Sequence, residues 1–532
     1  MTDLDPSPAP LAPTTVPPSA HLSEAAAIGV IVGIFLAILL AGLDALVVAT
    51  ALPTIAASLH GADGITFVAS AYLIASTVAI PLFSRLSDLY SRRNVFLLAL
   101  GIFLGGSALA GLSQSLDQLI LFRGIQGFGS GAFLPVGIAM VALLFPPAMR
   151  TRLTGLLSGA AGISIVVGPL LGSYIVDVTS WRWVFYVNLP IGVAALVVLA
   201  LVLGPLRAEA SGRFDGPGAA LLVGWVSALM LPLVEISDGA WAASAPLALG
   251  LFSTAAVLFV AFLVRELGES EPLVPLRLLG RRVVAATGAI SLLNGIVLTS
   301  LITLLSVFVG VVLLPGNPNA ADLVRDVIYF FAIPLILGAV AAGGLLTRWP
   351  YRVVLAPALL VGGAGGLFLY GVRATTPLWV LSFGFLPVGG LALPLIVLGF
   401  GAGIGLAGVT IAIQNEVPRS EVGAGVGIVR FLQSLGGAVG LSLLTVFITW
   451  RSAQGRPAAP DPGAALGAVI AAYDLVFLAM ALLTLLAGGL ALLIGGRVAA
   501  EPRPTSPGPD PGAPGLRPAP PAAGSVGGSG GR

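Results

Sequence analysis

The sequence predicts an all-helical integral membrane protein with fourteen transmembrane helices. Apolar residues make up 57% of the 532 residues, whereas charged residues make up only 9%, too few to cover the surface of a soluble protein of this length. Apolar runs of about 20 residues, the length that crosses ~30 Å of hydrocarbon, follow one another along most of the chain. A short polar motif that recurs in the second half indicates an internal duplication.

The fourteen apolar runs begin after an N-terminal tail rich in Pro, Ala and Thr, which we expect to be disordered. They lie near residues 28–50, 65–83, 95–113, 119–143, 153–175, 183–204, 217–236, 246–264, 286–313, 327–346, 353–371, 391–412, 424–449 and 467–494. The stretch 374–390 is apolar but interrupted by Pro and Gly, and we interpret it as an interfacial segment. A second Pro- and Gly-rich tail covers 498–532.

The recurring motif follows the second apolar run of each half. Its first copy is Ser84-Arg85-Leu86-Ser87-Asp88-Leu89-Tyr90-Ser91-Arg92-Arg93, and its second is Gly343-Gly344-Leu345-Leu346-Thr347-Arg348-Trp349-Pro350-Tyr351-Arg352. Leu86 matches Leu345 and Arg93 matches Arg352, whereas Thr347 stands where Asp88 stood. The two halves are therefore predicted to be related six-helix units.

Arginine placement predicts the orientation, because positive charge is retained on the cytoplasmic side of a membrane. With the N-terminus inside, the inner loops hold fourteen arginines and the outer loops five. Both termini are therefore expected to be cytoplasmic, with the protein in the cell (inner) membrane.

Several kinds of function are disfavoured by residue usage. The chain has no Cys and only two histidines, His21 and His60, in a tail and a loop, so we expect neither disulfides nor a metal site. A formal net charge of +2 argues against a nucleic-acid partner. No nucleophile–base pair or phosphate-binding loop is visible, so we expect no cofactor and no enzymatic activity.

Charged side chains inside the apolar runs are the candidate functional residues, because such charges are costly in a bilayer. Asp44 in the first run and Arg123 in the fourth lie at similar depth and could face one cavity. Asp44 is the leading proton-coupling candidate, with a purely structural pairing to Arg123 as the alternative. Asp474 in the last run is a further proton-coupling candidate.

Polar side chains at other membrane positions are candidates for the substrate cavity. Gln126 follows Arg123 by three residues and shares its helix face, although a static scaffold role for this pair stays open. Arg430 lies in the thirteenth run among glycines and has no acid in its own run. The full set of cavity candidates is Gln126, Asn188, Asn294 and Arg430.

Five motifs occur in register on these runs. They are Leu43 to Pro53 with Asp44, the Asp88/Arg92/Arg93 loop, Arg123-Gly124-Ile125-Gln126-Gly127, Gly168-Pro169-Leu170-Leu171-Gly172, and Trp181 to Pro190 with Asn188. In this order they resemble the major facilitator superfamily, specifically its fourteen-span drug:proton antiporter branch. The serines Ser84 and Ser91 replace glycines of the family motif, which predicts a looser helix contact there.

The resemblance implies a fold and a transport cycle. It implies two six-helix bundles with two inserted helices, and alternating access driven by proton influx. The corresponding regions are a tail at 1–24, bundles at 25–207 and 283–497, the inserted helices and central loop at 208–282, and a tail at 498–532. It assigns the Gly168, Pro169, Gly172 motif to antiporters, with tight helix packing as the alternative, and it implies a monomer.

Asp88, Arg92 and Arg93 are the candidates for an inner gate. Asp88 can pair with Arg92 or cap a neighbouring helix, which would hold the bundles together on the cytoplasmic side. The two arginines also serve as a plain topology signal.

The leading function is proton-coupled export of lipophilic small molecules or drugs, with protons and membrane lipids as the other partners. A resemblance to lipid-exporting members of the same group leaves export of glycerolipids as an alternative. A membrane scaffold or sensor without transport activity is the third possibility.

Overall fold

Helices account for almost all of the residues that the computed structural model describes. The structure describes residues 23–59, 64–204, 213–237, 241–313, 320–370, 372, 381–383, 386–388, 391–418, 421–454 and 462–495. The predicted tails at 1–24 and 498–532 lie outside these residues, apart from Ser23 and Glu24.

The first half of the chain forms six spans. Its helices are α1 (Glu24–Leu59), α2 (Thr66–Leu89), α3 (Arg92–Leu112), α4 (Leu116–Ser130), α5 (Phe133–Leu144), α6 (Pro147–Val178), α7 (Trp183–Tyr186) and α8 (Asn188–Val202). The helices α4 and α5 together form the fourth span, and α7 and α8 together form the sixth. The two bends lie at Gly131–Ala132 and Val187.

The second half contains the inserted helices and six more spans. Its α-helices are α9 (Gly216–Ser237), α10 (Trp241–Gly268), α11 (Arg282–Val307), α12 (Ala320–Leu345), α13 (Tyr351–Leu367), α14 (Ala392–Glu416), α15 (Val422–Gln454) and α16 (Pro462–Ala491). A 3₁₀ turn at Leu276–Gly280 precedes α11, and a π-helical turn at Phe308–Leu313 continues it.

Thirteen helical segments among the described residues are long and apolar enough to cross a bilayer. The shorter apolar helix α13 has 17 residues and is therefore about 26 Å long, close to the thickness of the hydrocarbon layer. With α13 included, the fourteen predicted spans are all found.

A small hairpin departs from the predicted all-helical structure. Leu381–Phe383 and Leu386–Val388 form β1 and β2, which pair antiparallel with Leu381 opposite Val388. The hairpin falls within the stretch that the sequence predicts as interfacial, much of which lies outside the described residues. Its position at a membrane surface stays a prediction.

Helix pairs repeat between the halves. In the first half α1 packs on α6 and α8, α2 on α4, and α3 on α4 and α8. In the second half α11 packs on α15 and α16, α12 on α14, and α13 on α14 and α16. Each pair in one bundle has its counterpart eight spans later, as expected from the internal duplication.

The bundles meet along two seams, α2 against α15 and α6 against α12. The inserted helices α9 and α10 pack on each other, and α9 also contacts both α2 and α15. The Trp225 ring of α9 meets the Phe431 ring of α15 edge-on, with ring centroids 5.9 Å apart. The insertion therefore covers the α2/α15 seam.

Several helices are longer than the apolar runs that predicted them. The helix α1 continues to Leu59, nine residues beyond the predicted end at residue 50, so Asp44 lies farther from the helix end than expected. Backbone hydrogen bonding does not stop where the apolar run stops, and one Pro, Pro53, does not end the helix.

Candidate functional site

A buried ion pair lies at the centre of the first bundle. Asp44 of α1 and Arg123 of α4 are each 1% exposed, and Arg123 Nη1 donates to Asp44 Oδ2. Asp44 Oδ1 accepts two more hydrogen bonds, from Gln126 Nε2 at 2.7 Å and from Asn188 Nδ2 at 2.8 Å. The sequence predicted that Asp44 and Arg123 lie at similar depth, and in the structure they are in direct contact.

A hydroxyl completes this arrangement. Ser107 Oγ of α3 accepts from Gln126 Nε2 and from Asn188 Nδ2, both at 3.1 Å, and donates to the Phe185 carbonyl at 2.8 Å. We refer to Asp44, Ser107, Arg123, Gln126 and Asn188 as the Asp44 cluster. Four helices, α1, α3, α4 and α8, supply it, so its side chains are held by the packing of the whole bundle.

The remaining guanidinium contacts join Arg123 to its own helix and to α2. Its Nη1 also donates to Gln126 Oε1 at 2.8 Å, and its Nε donates to the Val68 carbonyl at 3.3 Å. Its Cζ lies 4.2 Å from the centre of the Tyr72 ring, a distance typical of a cation–π contact. Tyr72 Oη donates to the Ala41 carbonyl at 3.1 Å. The described contacts of Arg123 therefore all lie within the first bundle.

A cavity of about 340 Å³ lies between the bundles on the other side of Tyr72. It is lined by Ala41, Gly42, Tyr72, Leu73, Ser76, Ile80, Ser130, Gly131, Leu134, Pro135, Gly295, Thr299, Arg430, Gln433, Ser434 and Ala438. These residues come from the middle of α1, α2, α11 and α15 and from the α4/α5 bend. Tyr72 forms a wall that the cavity shares with the Asp44 cluster.

The four predicted cavity residues do not lie together. Arg430 lines the cavity, whereas Gln126 and Asn188 belong to the Asp44 cluster. Asn294 is 4% exposed inside the second bundle, where its Nδ2 faces Gly405. Hydropathy gives the depth of a side chain but not the rotation of its helix, so the sequence did not show that Gln126, Asn188 and Asn294 lie inside the bundles. Their role in substrate binding stays a prediction.

Asp474 lies away from the Asp44 cluster. It is 4% exposed in α16. Tyr473, next to it, packs on Phe308 with ring centroids 4.9 Å apart, which places this part of α16 in the core of the second bundle.

The residues of the predicted inner gate connect the two bundles. Arg92 Nη2 lies 3.4 Å from Asp88 Oδ1, and both side chains are buried. Asp88 Oδ2 accepts from the backbone N–H of Ala424 at 3.0 Å, in the first turn of α15. A carboxylate at a helix N-terminus satisfies an unpaired N–H and the helix dipole. Asp88 thus both pairs with Arg92 and caps a helix of the other bundle.

The contact between α2 and α15 beside Asp88 is close, whereas Ser84 predicted a looser one. A Cβ on Gly427 of α15 would overlap Ser84 Oγ of α2, and Ser84 is 1% exposed. The glycine that permits close approach is supplied by α15, so a serine on α2 is accommodated. Arg93 stays within its own bundle, donating from Nη2 to the Ala200 carbonyl at 2.7 Å.

A second set of polar contacts between the bundles was missed from the sequence. Arg150 Nη2 donates to Asn415 Oδ1 at 2.7 Å, and Thr154 Oγ1 donates to Gln414 Oε1 at 2.9 Å. These residues join α6 to α14 at the same end of the molecule as Asp88. The consecutive polar residues Gln414 and Asn415 at the end of an apolar run were a signal that could have identified α14.

The glycine–proline motif of α6 packs against α1 close to Asp44. A Cβ on Gly168 would lie 2.7 Å from Leu46 Cβ, and one on Gly172 would lie 2.9 Å from the Val47 carbonyl oxygen. The motif therefore permits close helix approach, which is the packing role considered as its alternative. Among the described residues, no group of acidic or histidine side chains could hold a metal ion.

Comparisons with known proteins agree with this architecture. The model of the Major Facilitator Superfamily matches residues 34–441. "Multidrug resistance protein 3" of Bacillus subtilis is 30% identical over 415 residues, which cover 78% of each chain. "Multidrug transporter protein MdtP" of the same organism is 30% identical over 434 residues, 79% of this chain and 75% of its own.

A solved structure shows the same fold. The proton:xylose symporter XylE matches with a TM-score of 0.57 at 14% identity, over 86% of this chain and 95% of its own. At this identity the likeness concerns the fold alone.

Proposed function

Because the chain belongs to the Major Facilitator Superfamily, a family of membrane transporters rather than enzymes, we propose that it is a proton-coupled exporter of lipophilic small molecules. The observation that carries the proposal is the buried Asp44–Arg123 ion pair beside the cavity between the bundles. Intramembrane acids are costly and are retained mainly where function needs them. The names of the two Bacillus relatives support drug-like cargo and outward transport.

In this proposal Asp44 takes up and releases the proton. Protonation removes the negative charge and leaves Arg123 without its counter-ion, while Oδ1 or Oδ2 changes from acceptor to donor. The hydrogen bonds from Gln126, Asn188 and Arg123 must then rearrange. Arg123 contacts Tyr72, and Tyr72 lines the cavity, so the change in charge is one side chain away from the bound substrate.

The proposed cycle also needs a gate that opens at one end. The contacts of Asp88 with Ala424, Arg150 with Asn415 and Thr154 with Gln414 close the arginine-rich end of the seams. We propose that they break when the bundles rotate to expose the cavity at this end. Arg92 and Arg93 would hold α3 in place during this movement through their bonds within the first bundle.

The cellular setting follows from arginine placement. We propose that the arginine-rich end and both termini face the cytoplasm, that the protein lies in the cell (inner) membrane and that it acts as a monomer. The uptake of protons from outside would then drive the exit of substrate. Neither a lipid exporter nor a transport-inactive scaffold receives support from the relatives, which are named for drug resistance or drug transport.

Asp44→Asn provides the test of proton coupling. The substitution keeps side-chain volume but removes the titratable group, so efflux driven by a pH gradient in proteoliposomes should fall to the background rate. Substrate binding at equilibrium should persist. Proton release on substrate binding in detergent should disappear, as measured by a pH-sensitive dye.

Two further variants control for structure. Asp117→Asn changes an exposed acid at the start of α4 and should transport normally. Removing one partner of a buried ion pair can cost about 3–5 kcal/mol, so the double variant Asp44→Asn with Arg123→Gln tests whether a neutral pair restores stability without coupling. If Asp44→Asn still concentrates substrate against its gradient, Asp44 is structural and Asp474 is the next carboxylate to test.

A further inference from the structure

Arg430 places a positive charge in the wall of the cavity, without an ion-pair partner among the described residues. It is 8% exposed and lies in the third turn of α15. Its Nη1 donates to Gln433 Oε1 at 2.6 Å, and its Nη2 donates to Thr410 Oγ1 at 2.9 Å. Both acceptors are neutral, and no carboxylate of the described residues forms an ion pair with Arg430.

The contrast with Arg123 is informative. Each half of the molecule has a buried arginine inside a membrane span. Arg123 is paired with Asp44, whereas the described hydrogen-bond partners of Arg430 are an amide and a hydroxyl. A buried guanidinium without a counter-charge is expensive. The missing negative charge must therefore come from outside the described protein residues or remain uncompensated.

The guanidinium also has unused hydrogen-bonding capacity. Arg430 Nε is buried and has no hydrogen-bond partner among the described residues. An arginine presents five N–H donors in a planar fork that matches the two oxygens of a carboxylate. A ligand in the cavity can therefore complete the coordination of Arg430 through charge-assisted hydrogen bonds.

The polarity and volume of the rest of the cavity indicate what the uncharged part of such a ligand is like. Away from Arg430 and Gln433 the lining is mainly Ala, Gly, Leu, Ile and Pro, with the hydroxyls of Ser and Thr side chains between them. A volume of about 340 Å³ lies at the small end of the range of about 300–1,000 Å³ for small-molecule sites. The site fits a compact apolar molecule with one anionic end.

We propose that the cavity binds lipophilic carboxylates, with Arg430 as the residue that recognises the anionic group. This inference rests on the proposed function, because it names a substrate class for the same transporter. Gln433 positions the guanidinium, and the apolar lining holds the body of the ligand. The anion supplies the charge that Asp44 supplies to Arg123 in the other bundle.

A matched pair of fluorescent probes tests the proposal. Dansylglycine carries a carboxylate, and dansylglycine methyl ester has nearly the same body without the charge. Equilibrium binding is measured on the full chain in nanodiscs with no pH gradient, with protein-free nanodiscs to subtract partition into lipid. The unchanged protein should bind the acid about tenfold or more tightly than the ester, because charge-assisted hydrogen bonds are roughly twice as strong as neutral ones.

Substitutions at Arg430 separate recognition from folding. Arg430→Gln should remove the preference for the acid and leave binding of the ester unchanged, whereas Arg430→Lys should keep part of the preference because charge remains without the planar fork. Arg451→Gln, which changes a partly exposed arginine at the end of the same helix, is the matched control and should retain the full preference. Thermal unfolding checks that each variant is folded.

The outcomes test carboxylate recognition by Arg430 independently of proton coupling. Equal binding of acid and ester by the unchanged protein, or equal weakening of both by Arg430→Gln, would overturn the proposal. The binding assay applies no pH gradient, so its result does not depend on whether Asp44 couples efflux to protons. A failure of carboxylate recognition likewise leaves the efflux test of Asp44 unaffected. Competition by decanoate would identify fatty acids from the bilayer as ligands, whereas competition by naphthylacetate alone would identify aromatic acids.

Discussion

At the scale of single residues, Asp44 is unusual in the number of its donors. Arg123, Gln126 and Asn188 all donate to one carboxylate, so neither oxygen is left without a partner. A proton on Asp44 would meet groups that already donate, and the amides of Gln126 and Asn188 would have to turn their oxygens toward it. In the proposed function, protonation would therefore require several side chains to rearrange.

The ion pair of Asp215 with Arg265, outside the apolar core, has a testable pH dependence. Burial alone would raise the pKa of Asp215, but hydrogen bonds from Arg265 and from the Gly218 N–H outweigh it and hold the pKa below its usual value. A lowered pKa in the folded state means that the pair stabilises the protein above the ordinary Asp value near 3.9. This contribution is lost as the pH falls through the lowered pKa.

Asp215→Asn should therefore lower the melting temperature at pH 7, and the difference from the unchanged protein should shrink as the pH is reduced toward 3. Thermal unfolding in detergent across this range provides the measurement. Asp117→Asn serves as the control, because Asp117 is exposed. A difference in melting temperature that is constant with pH would show that Asp215 acts through packing rather than charge.

The site was partly predictable from single residues. Charged side chains in apolar runs identified Asp44 and Arg123, because a charge inside the bilayer is costly and is rarely kept without a function. Ser107 was missed because a serine in a membrane helix is too common to stand out. Asn188 was found by its motif, but its contact with Asp44 depends on the rotation of α8, which hydropathy does not encode.

At the scale of helices, the spans were predicted well and their ends were not. Apolar length locates a span because the hydrocarbon layer sets it. The helix α6 nevertheless runs from Pro147 to Val178, beyond the predicted 153–175 on both sides, since helical hydrogen bonding continues into polar surroundings. The division of the fourth span at Gly131 is also a local backbone feature without a hydropathy signal.

The contact of α2 with α15 gives a prediction about helix packing. Gly427→Ala places a Cβ against Ser84 Oγ, and overpacking of this kind costs about 1–3 kcal/mol. The variant should melt earlier and should favour separation of the two helices at the arginine-rich end. The measurements are the melting temperature and the reactivity toward maleimide of a Cys at position 87, a buried serine of α2 that faces Gly423 of α15, with either Gly or Ala at position 427.

A compensating change makes this prediction sharper. Ser84→Gly removes the overlapping atoms, so Gly427→Ala should cost less in the Ser84→Gly background than alone, as a double-mutant cycle would show. Gly124→Ala is the matched control, because a Cβ there meets nothing within 4 Å. Additive effects of Ser84→Gly and Gly427→Ala would mean that the two positions do not interact.

At the scale of the whole molecule, the duplication seen in one loop motif extends to the packing of the twelve spans that form the two bundles. The pairs α1–α6 and α11–α15 occupy equivalent places in their bundles, as do α2–α4 and α12–α14. The cavity between the bundles was not predictable in detail, because its lining combines residues far apart in the chain that meet only across the seams.

Orientation in the membrane is tested by cysteine labelling, for which the chain is suited because it contains no Cys. Tyr90 and Gln114 are exposed and lie in the connections that follow α2 and α3, at opposite ends of the molecule. An impermeant maleimide applied to intact cells should label Gln114→Cys and not Tyr90→Cys, which should react only after lysis. The reverse pattern would contradict a cytoplasmic position for the arginine-rich end.

The Asp44 cluster lies within one bundle, and a rotation of the bundles would therefore affect it differently from the contacts that join them. Every described partner of Asp44 belongs to the first bundle, whereas the contacts of Asp88, Arg150 and Thr154 join one bundle to the other. If the bundles rotate against each other as rigid bodies, the first group of bonds keeps its length while the second is broken and reformed. The proton on Asp44 would then be carried within one rigid body. The free-energy cost of each conformational change would fall on the few hydrogen bonds that join the two bundles.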